Sequence, residues 1–350
     1  MGDSEYVFYN PFDSMSFTYD RCFLCGQALE DSSTDEHVFP KWLLHKYNLW
    51  DKIIYLINRT ELPYRLMKIP CCSTCNNEYL SSLENEIKNA VEQGYDEFIK
   101  LDELKIFQWI AKIFYGILFR ELSLLVERKD PSLGQITTPE MLERYKTLYV
   151  FLQSVRMPVD FNGTNPWSIF IVRCHSYDDD RAFDYRDGIT TQTFTIRVGE
   201  IGVIACLEDS GVQKEIFSDY FKQFEGIRLH PIQFNELSAK VTYKGYLKNR
   251  TPSYICILPS KNHEKLSVMT SPVQGLSNAP IFDDWDQRIY AKFLEHHWKN
   301  WGLSFDSIFV EPDLVVTFLK NDDGSVMAID KNTNHFKGAS NDLKIIDEKY

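Results

Sequence analysis

The sequence lacks a hydrophobic run long enough to cross a membrane. A membrane helix needs about 20 consecutive, mostly apolar residues, whereas the nearest approach, residues 104–126, contains Lys105, Lys112, Arg120 and Glu121. We therefore interpret this stretch as a buried helix of a water-soluble domain, and we expect no membrane partner. The first residues also lack a basic segment followed by an apolar run, so we expect no secretion signal and a cytoplasmic protein.

The sequence also lacks the excess of positive charge that is typical of proteins that hold nucleic acid on their own. Its 50 acidic and 38 basic residues give a net charge of −12. Within residues 35–100, eight Lys or Arg face ten Asp or Glu. Because basic patches supply most of the non-specific affinity for DNA, we expect weak intrinsic DNA binding. A protein partner, or self-assembly through the C-terminal half, would then have to raise the local concentration.

Cysteines are few, and they are not spread as a disulfide framework requires. Five of the eight lie within residues 22–75, which favours a metal site in a reducing compartment. They include two C-x-x-C pairs, and two intervening residues let each turn direct both sulfurs at one point. Cys71 could replace Cys72 only by changing the spacing to Cys75. We therefore predict a structural Zn²⁺ site with the ligands Cys22, Cys25, Cys72 and Cys75.

The residues suited to catalysis lie between the two cysteine pairs and just after them. Residues 35–40 read Asp-Glu-His-Val-Phe-Pro, and Asn76 directly follows the last cysteine of the second pair. The nested order C-x-x-C, Glu-His-x-x-Pro, C-x-x-C-Asn resembles the HNH endonuclease family, the zinc-stapled branch of the ββα-metal (His-Me finger) nucleases. The resemblance covers about residues 20–90.

The resemblance implies a reaction and a set of site residues. It implies that His37 is the general base of phosphodiester hydrolysis, and that Glu36 and Asn76 hold a catalytic divalent ion. Mg²⁺ or Mn²⁺ would suit these hard oxygen ligands, and Asn77 is an alternative ligand. The family has a further Asn that braces the catalytic His, for which Asn58 is the candidate here.

Local patterns predict an α+β fold. Apolar runs and helical periodicity predict, in the first half, strands over 53–57 and 66–69 and helices over 41–47, 76–93, 103–128 and 138–152. In the second half they predict strands over 168–173, 192–198, 202–207, 241–247 and 254–258, helices over 212–224 and 282–301, and a hairpin over 314–330. We interpret Asp184 and Asp187 as solvated loop carboxylates.

These elements predict three parts. Residues 1–100 would form the N-terminal ββα-metal HNH module with its zinc knuckles, 101–159 a helical connector, and 160–350 a C-terminal α+β accessory domain for recognition or regulation. Asn76 would lie in the first turn of its helix, from which its side chain can reach back to the strands.

Two functions are compatible with this pattern. The first is a metal-dependent HNH endonuclease that cleaves DNA, for example as a phage-defence or restriction effector. The alternative is a catalytically inactive, zinc-stabilised module that binds nucleic acid or protein. The joint presence of Glu36, His37 and Asn76 favours the nuclease, since a degenerate copy would be free to lose any of them.

Overall fold

The computed structural model shows an α+β protein with helices and several small sheets, which confirms the predicted fold class. It describes residues 8–15, 17–29, 34–122, 124–127, 129–250, 252–259, 264–270, 280–336 and 345–346. The chain divides into two compact units. Unit 1 comprises Met1–Asn165 and Ser253–Ser271, and unit 2 comprises Pro166–Pro252 and Pro272–Tyr350. The segment predicted as a helical connector, residues 101–159, lies within unit 1.

The helices and strands follow one another along the chain in a mixed order. Up to Asn165 they are α1 (Pro11–Ser14), β1 (Thr34–His37), α2 (Lys41–Lys46), β2 (Ile53–Tyr55), β3 (Glu61–Pro63), β4 (Lys68–Cys71), α3 (Ser81–Gln93), α4 (Tyr95–Phe98), α5 (Glu103–Leu122), α6 (Pro139–Glu143), α7 (Lys146–Leu152) and β5 (Val159–Asn162). From Pro166 to Pro252 they are β6 (Ser168–Arg173), β7 (Phe183–Gly188), β8 (Thr193–Val198), β9 (Ile201–Cys206), α8 (Val212–Lys222) and α9 (Pro231–Tyr246). Beyond Pro252 they are β10 (Tyr254–Ile257), β11 (Leu266–Thr270), α10 (Gln287–Trp298), α11 (Phe305–Ile308), β12 (Phe309–Val310), β13 (Leu314–Val316) and β14 (Ile345–Ile346).

Unit 1 is built around α5. Most of this helix is buried, including the fully covered Trp109 and Tyr115. The unit also contains short strand pairs, in which β1 pairs antiparallel with β4 and β2 pairs antiparallel with β3. Strand β11 pairs antiparallel with β10 and parallel with β5. Among the described helices, none is long and apolar enough to span a membrane.

The helix predicted over 76–93 is present, but its first turns are unusual. Residues Cys75–Leu80 form a π-helical segment, after which α3 continues to Gln93. Buried Leu83, Ile87 and Val91 recur along one face of α3. Gly94 ends the helix at a φ of 100°, a region that favours glycine because it has no Cβ. π-Helical turns are rare and are found frequently at functional sites.

Unit 2 contains an antiparallel four-stranded sheet in the order β6-β9-β8-β7. Helices α8 and α9 contribute Phe217, Phe234 and Val241 to a core that includes Phe170 of β6 and Ile204 of β9. Strand β9 is buried at every position. Such strands are covered on both faces, which explains their continuous apolar sequence.

The predicted strand over 241–247 was wrong, because these residues lie mostly in α9. Val241 and Tyr243 have strand propensity, but the helix starts ten residues before them at a strong N-terminal signal. Pro231 occupies its first position, and the side chains of His230 and Gln233 form a capping box. Nearly every residue of α9 is buried, so the amphipathic periodicity that would have indicated a helix is weak.

Smaller differences concern turns and ends. Asp184 and Asp187 lie on β7 rather than in a solvated loop, and burial raises the pKa of Asp187 to about 6. Helix α5 ends at Leu122, short of the predicted residue 128, because the chain turns back and Val126 donates to the Gly134 carbonyl at 3.0 Å. The helix predicted over 138–152 is broken into α6 and α7.

Candidate functional site

The four predicted zinc ligands converge. The sulfur atoms of Cys22, Cys25, Cys72 and Cys75 lie within 4.8 Å of one another, and the Cys25 and Cys72 sulfurs are 3.7 Å apart. Four sulfurs bound tetrahedrally at about 2.3 Å from Zn²⁺ would be roughly 3.8 Å apart. The donor set therefore fits a closed structural zinc site. Cys71, the alternative to Cys72, is buried but is not in the cluster.

Backbone hydrogen bonds hold both cysteine turns in place. In the first turn Cys22 accepts from Gly26 at 2.9 Å and donates to Gln27 at 2.9 Å. In the second turn the Cys72 carbonyl accepts from Asn76 at 3.0 Å. Phe23 donates to the Pro70 carbonyl at 2.8 Å, which joins the first turn to β4. The second turn connects β4 to the helix that begins at Cys75.

The candidate catalytic residues lie on β1, which pairs with β4, and on the helical segment that follows the second cysteine turn. Glu36 and His37 end β1, where they pair with Ile69 and Lys68 of β4. Asn76 is the second residue of the π-helical segment that leads into α3. Two antiparallel strands are thus followed by a helix, with the cysteine turns at their junction.

The strand end and the start of the helix enclose one cleft of about 230 Å³. Three of the predicted site residues, Glu36, His37 and Asn76, line it together with the alternative ligand Asn77. The remaining lining residues are Asp35, Lys41, Trp42, Ser81, Glu84, Asn85 and Lys88. Asn58, the candidate brace, does not line this cleft. Its side chain accepts from Thr60 at 3.1 Å and donates to the Leu125 carbonyl at 3.3 Å.

His37 is placed to exchange a proton with something in the cleft. It is 6% exposed, and its Nε2 has no hydrogen-bond partner among the described residues. Its ring stacks on Trp50, with centroids 5.8 Å apart and an interplanar angle of 28°. Burial, assisted by Lys68 and Lys41, lowers the pKa of His37 to about 4. The imidazole is therefore neutral near pH 7 and can accept a proton.

Sequence reasoning missed two charged residues of this site, Lys112 and Glu84. Lys112 of α5 is 1% exposed, and its ammonium pairs with Oε1 of Glu36 and, at 2.8 Å, with Oε1 of Glu84. Burial would lower the pKa of Lys112, but the two carboxylates outweigh that effect and raise it to about 12. Burial also raises the pKa of Glu84, while Lys112 acts against this rise.

A signal for Lys112 was present in the sequence. It is the one charged residue between Ile106 and Phe119, a stretch that is otherwise apolar apart from Gln108. A lysine in the middle of a buried apolar helix is expected to have an anionic partner. Nothing local identifies that partner, because Glu36 and Glu84 are 76 and 28 positions away.

The donors in the cleft suit a hard divalent cation. A carboxylate from Glu36 and an amide oxygen from Asn76 are ligands that Mg²⁺ and Mn²⁺ accept, and Lys112 contacts Glu36 through Oε1.

Comparisons with protein-family models, with curated proteins and with solved structures find no match for this chain. The case for a function therefore rests on the residues of the cleft.

Proposed function

We propose that this chain is a metal-dependent endonuclease of the HNH type that hydrolyses phosphodiester bonds in DNA. The observation that supports this proposal is the shared cleft of Glu36, His37 and Asn76. Glu36 and His37 come from the end of β1 and Asn76 from the first turn of a helix, and Cys75 of the four-cysteine cluster begins that helix. The same order of residues carries the resemblance to the HNH family.

The roles of the residues follow from their chemistry. Neutral His37 takes a proton from a water molecule at Nε2, and the water oxygen forms a bond to phosphorus as the bond from phosphorus to the 3′ oxygen breaks. The leaving 3′ oxygen gains a proton from solvent, and His37 returns its proton to solvent. Glu36 and Asn76 would hold the divalent ion, which supplies charge stabilisation for the pentavalent phosphate and the leaving oxygen.

The cleft contains both cationic side chains that would attract a phosphate and anionic side chains that would repel it. Lys41 and Lys88 line it, and each offers an ammonium group to a phosphate oxygen. Asp35 and Glu84 line it as well, so a divalent ion would have to offset their repulsion of a polyanion. We infer that DNA binding in this cleft depends on the metal.

One observation favours the alternative of a catalytically inactive, zinc-stabilised binding module. Glu36 already has a cationic partner in Lys112, so its carboxylate is stabilised in the fold without any bound ion. In this alternative the same fold presents a surface to nucleic acid or protein, and the four-cysteine zinc site is its only metal. The two functions differ in whether Mg²⁺ or Mn²⁺ produces cleavage.

The experiment is a cleavage assay with the purified full-length protein. Supercoiled plasmid, single-stranded DNA and RNA are incubated with Mg²⁺, Mn²⁺ or EDTA, and the wild type is compared with Glu36→Gln and Asn76→Ala. Asn85→Ala is a matched control. Asn85 also lines the cleft, but it lies further along in α3, where its amide contacts Ser81 at 3.4 Å. We expect metal-dependent cleavage that both site variants lose and the control retains. Cleavage by none of the proteins would favour the binding module, and equal loss in the control would contradict the specific roles of Glu36 and Asn76.

We also propose that the chain is a phage-defence or restriction effector and that a partner, or self-assembly through the C-terminal half, assists its cleavage. A net charge of −12 makes loose DNA binding the expectation for the chain alone. Cleavage rates of the full chain, with and without copurifying proteins, are compared at low and physiological salt. Fast cleavage by the chain alone at physiological salt would contradict this part of the proposal.

A further inference from the structure

Lys112 joins the two elements that carry the candidate metal ligands. Its ammonium contacts the carbonyl oxygens of His37 at 2.6 Å and Val38 at 3.2 Å. It also pairs with Glu36 and, at 2.8 Å, with Glu84 of α3. These contacts fix the end of β1 against α3, and Asn76 lies in the π-helical segment that continues into α3. A single side chain therefore sets the spacing between Glu36 and the helix that carries Asn76.

Packing alone does not account for a lysine at this position. Its neighbours on α5, Ile110, Ala111, Ile113 and Phe114, are 0–1% exposed. Burial of charges is costly, and replacement of a buried ion pair by apolar side chains of similar volume is often neutral or stabilising. A purely structural role could be filled by apolar side chains at positions 36, 84 and 112 together, whereas methionine at position 112 alone would leave two buried carboxylates without a counter-charge.

The charges of the group leave an attraction for a cation. When both carboxyl groups are ionised, Glu36 and Glu84 contribute two negative charges against the one positive charge of Lys112. The ammonium lies between the two carboxylates and reduces their mutual repulsion. Its ion-pair contacts with the two residues are both made to Oε1. Glu36 and Glu84 line the same cleft as Asn76.

We propose that Lys112 and Glu84 are positioning residues that hold the Glu36 carboxylate for a divalent cation. The proposal rests on the function proposed above, in that Glu36 binds the catalytic ion. Lys112 fixes Oε1 of Glu36, and Glu84 fixes Lys112 from the side of α3. Residues in this second layer around a metal site orient the ligands, and their loss typically weakens metal binding about 10- to 100-fold.

The first test is the sign of the change in Mn²⁺ affinity for Lys112→Met. Positioning predicts affinity that is weaker by about tenfold or more, because Glu36 loses its anchor. An effect of charge alone predicts tighter binding, because the variant is more negative. Mn²⁺ alone is titrated into the full-length, zinc-loaded protein, and the free ion is measured by electron paramagnetic resonance. Glu36→Gln assigns the bound ion to the cleft.

Glu121→Gln is the matched control. Glu121 is on the same helix as Lys112, is 5% exposed and accepts a hydrogen bond from the Ile57 amide at 3.1 Å. Its substitution also removes one buried charge from α5, but it does so away from the cleft. We expect its Mn²⁺ affinity to match the wild type.

Glu84 provides a second test that does not require Lys112→Met to fold. Glu84→Gln and Glu84→Ala both remove one negative charge, but only glutamine keeps an oxygen that can accept from Lys112. Positioning predicts that Mn²⁺ affinity falls about tenfold further in Glu84→Ala than in Glu84→Gln. Equal affinities of the two variants would show that Glu84 acts through its charge alone.

The outcomes separate this inference from the proposed nuclease activity. Weaker binding in Lys112→Met and in Glu84→Ala supports the inference even if the wild type cleaves no DNA, in which case the nuclease proposal fails alone. Unchanged or tighter binding in Lys112→Met overturns the inference, while His37-dependent cleavage by the wild type would still support the nuclease. No Mn²⁺ binding by the wild type overturns both.

Discussion

In unit 2 the buried carboxylates of Asp209 and Glu236 accept hydrogen bonds from backbone amides, whereas in unit 1 the buried carboxylate of Glu36 is paired with an ammonium beside a cleft. Asp209 accepts from the Gly211 and Gln213 amides at 3.0 Å each and from the Ser168 hydroxyl at 2.8 Å. Glu236 accepts from the Phe318 amide at 2.7 Å. Both carboxylates therefore serve as hydrogen-bond acceptors for backbone amides of their own unit.

The difference indicates where an external ligand is expected. Asp209 is used up at the start of α8, where it caps amides that the helix leaves unpaired. Glu36, Glu84 and Lys112 instead meet at a cleft that also contains a buried His37 nitrogen with no hydrogen-bond partner among the described residues. Buried polar atoms without a partner are uncommon, and they often mark a place for a substrate, water or ion. We therefore expect substitution of Asp209 to change stability, and substitutions around the cleft to change metal binding or cleavage.

The largest effect is expected for the cysteine cluster of unit 1. Cys72→Ser removes one of four ligands, and structural zinc contributes folding free energy of about 10–16 kcal/mol in small zinc domains. We expect the variant to lose its zinc and the fold around β1, β4 and α3. Zinc per chain is measured by elemental analysis, and folding by amide hydrogen exchange.

Cys71→Ser is the control for this prediction. Cys71 is the buried neighbour of Cys72 but is outside the cluster. We expect it to keep about one zinc per chain, as four thiolates hold a single ion. Soluble, folded wild-type protein that contains no zinc would remove the claim of a metal site.

The next effect concerns Asp209 of unit 2 and should appear in stability without any change in cleavage. Burial raises the pKa of Asp209 from 3.8 to about 6. The folded state then binds a proton more tightly than the unfolded state, so this stabilising contribution is full below about pH 4 and is lost as the pH rises through 6. This difference in the pKa of Asp209 corresponds to about 3 kcal/mol of folding stability at most.

Asp209→Asn removes this titration. The stability of the variant relative to wild type should therefore rise between pH 4 and pH 7, as measured by denaturant unfolding at each pH. Asp219→Asn, an exposed position on α8, serves as the control with a nearly constant difference. A constant difference for Asp209→Asn as well would contradict the assignment of a buried, titrating carboxyl group.

A smaller effect is expected for Trp50 of unit 1. Its ring stacks on His37 and also on His45, the latter with centroids 4.6 Å apart. Aromatic stacking contributes about 1 kcal/mol, so Trp50→Ala should slow cleavage roughly fivefold through a less ordered His37. Trp50→Phe keeps a ring and should recover most of the rate. Equal rates for alanine and phenylalanine would show that the stack does not position His37.

The four-cysteine cluster and the cleft could be predicted because short-range sequence patterns encode them. The C-x-x-C spacing determines where each pair of sulfurs points, and Asn76 is tied to the cluster by direct sequence adjacency to Cys75. The structure accordingly brings together all four cysteines and places Glu36, His37 and Asn76 in one cleft. The resemblance to HNH nucleases remains the basis for the roles of these residues.

Long-range pairing could not be predicted in the same way. Lys112 meets Glu36 and Glu84 only because α5 packs against β1 and α3, and no local pattern records that packing. Asn58 was the candidate brace because of its position near a predicted strand. In the structure its side chain instead accepts from the Thr60 amide and donates to the Leu125 carbonyl. The predicted strand at 241–247 failed because local propensity was outweighed by a helix that starts at Pro231.

The central claim is tested most directly by comparing plasmid cleavage by wild-type protein and His37→Ala at equal zinc content and equal melting temperature. A buried base that acts in the transition state contributes about 10²- to 10⁴-fold to the rate. The account predicts Mg²⁺- or Mn²⁺-dependent cleavage by the wild type, slower by that factor in the variant, with unchanged zinc. Cleavage by His37→Ala at the wild-type rate would contradict it.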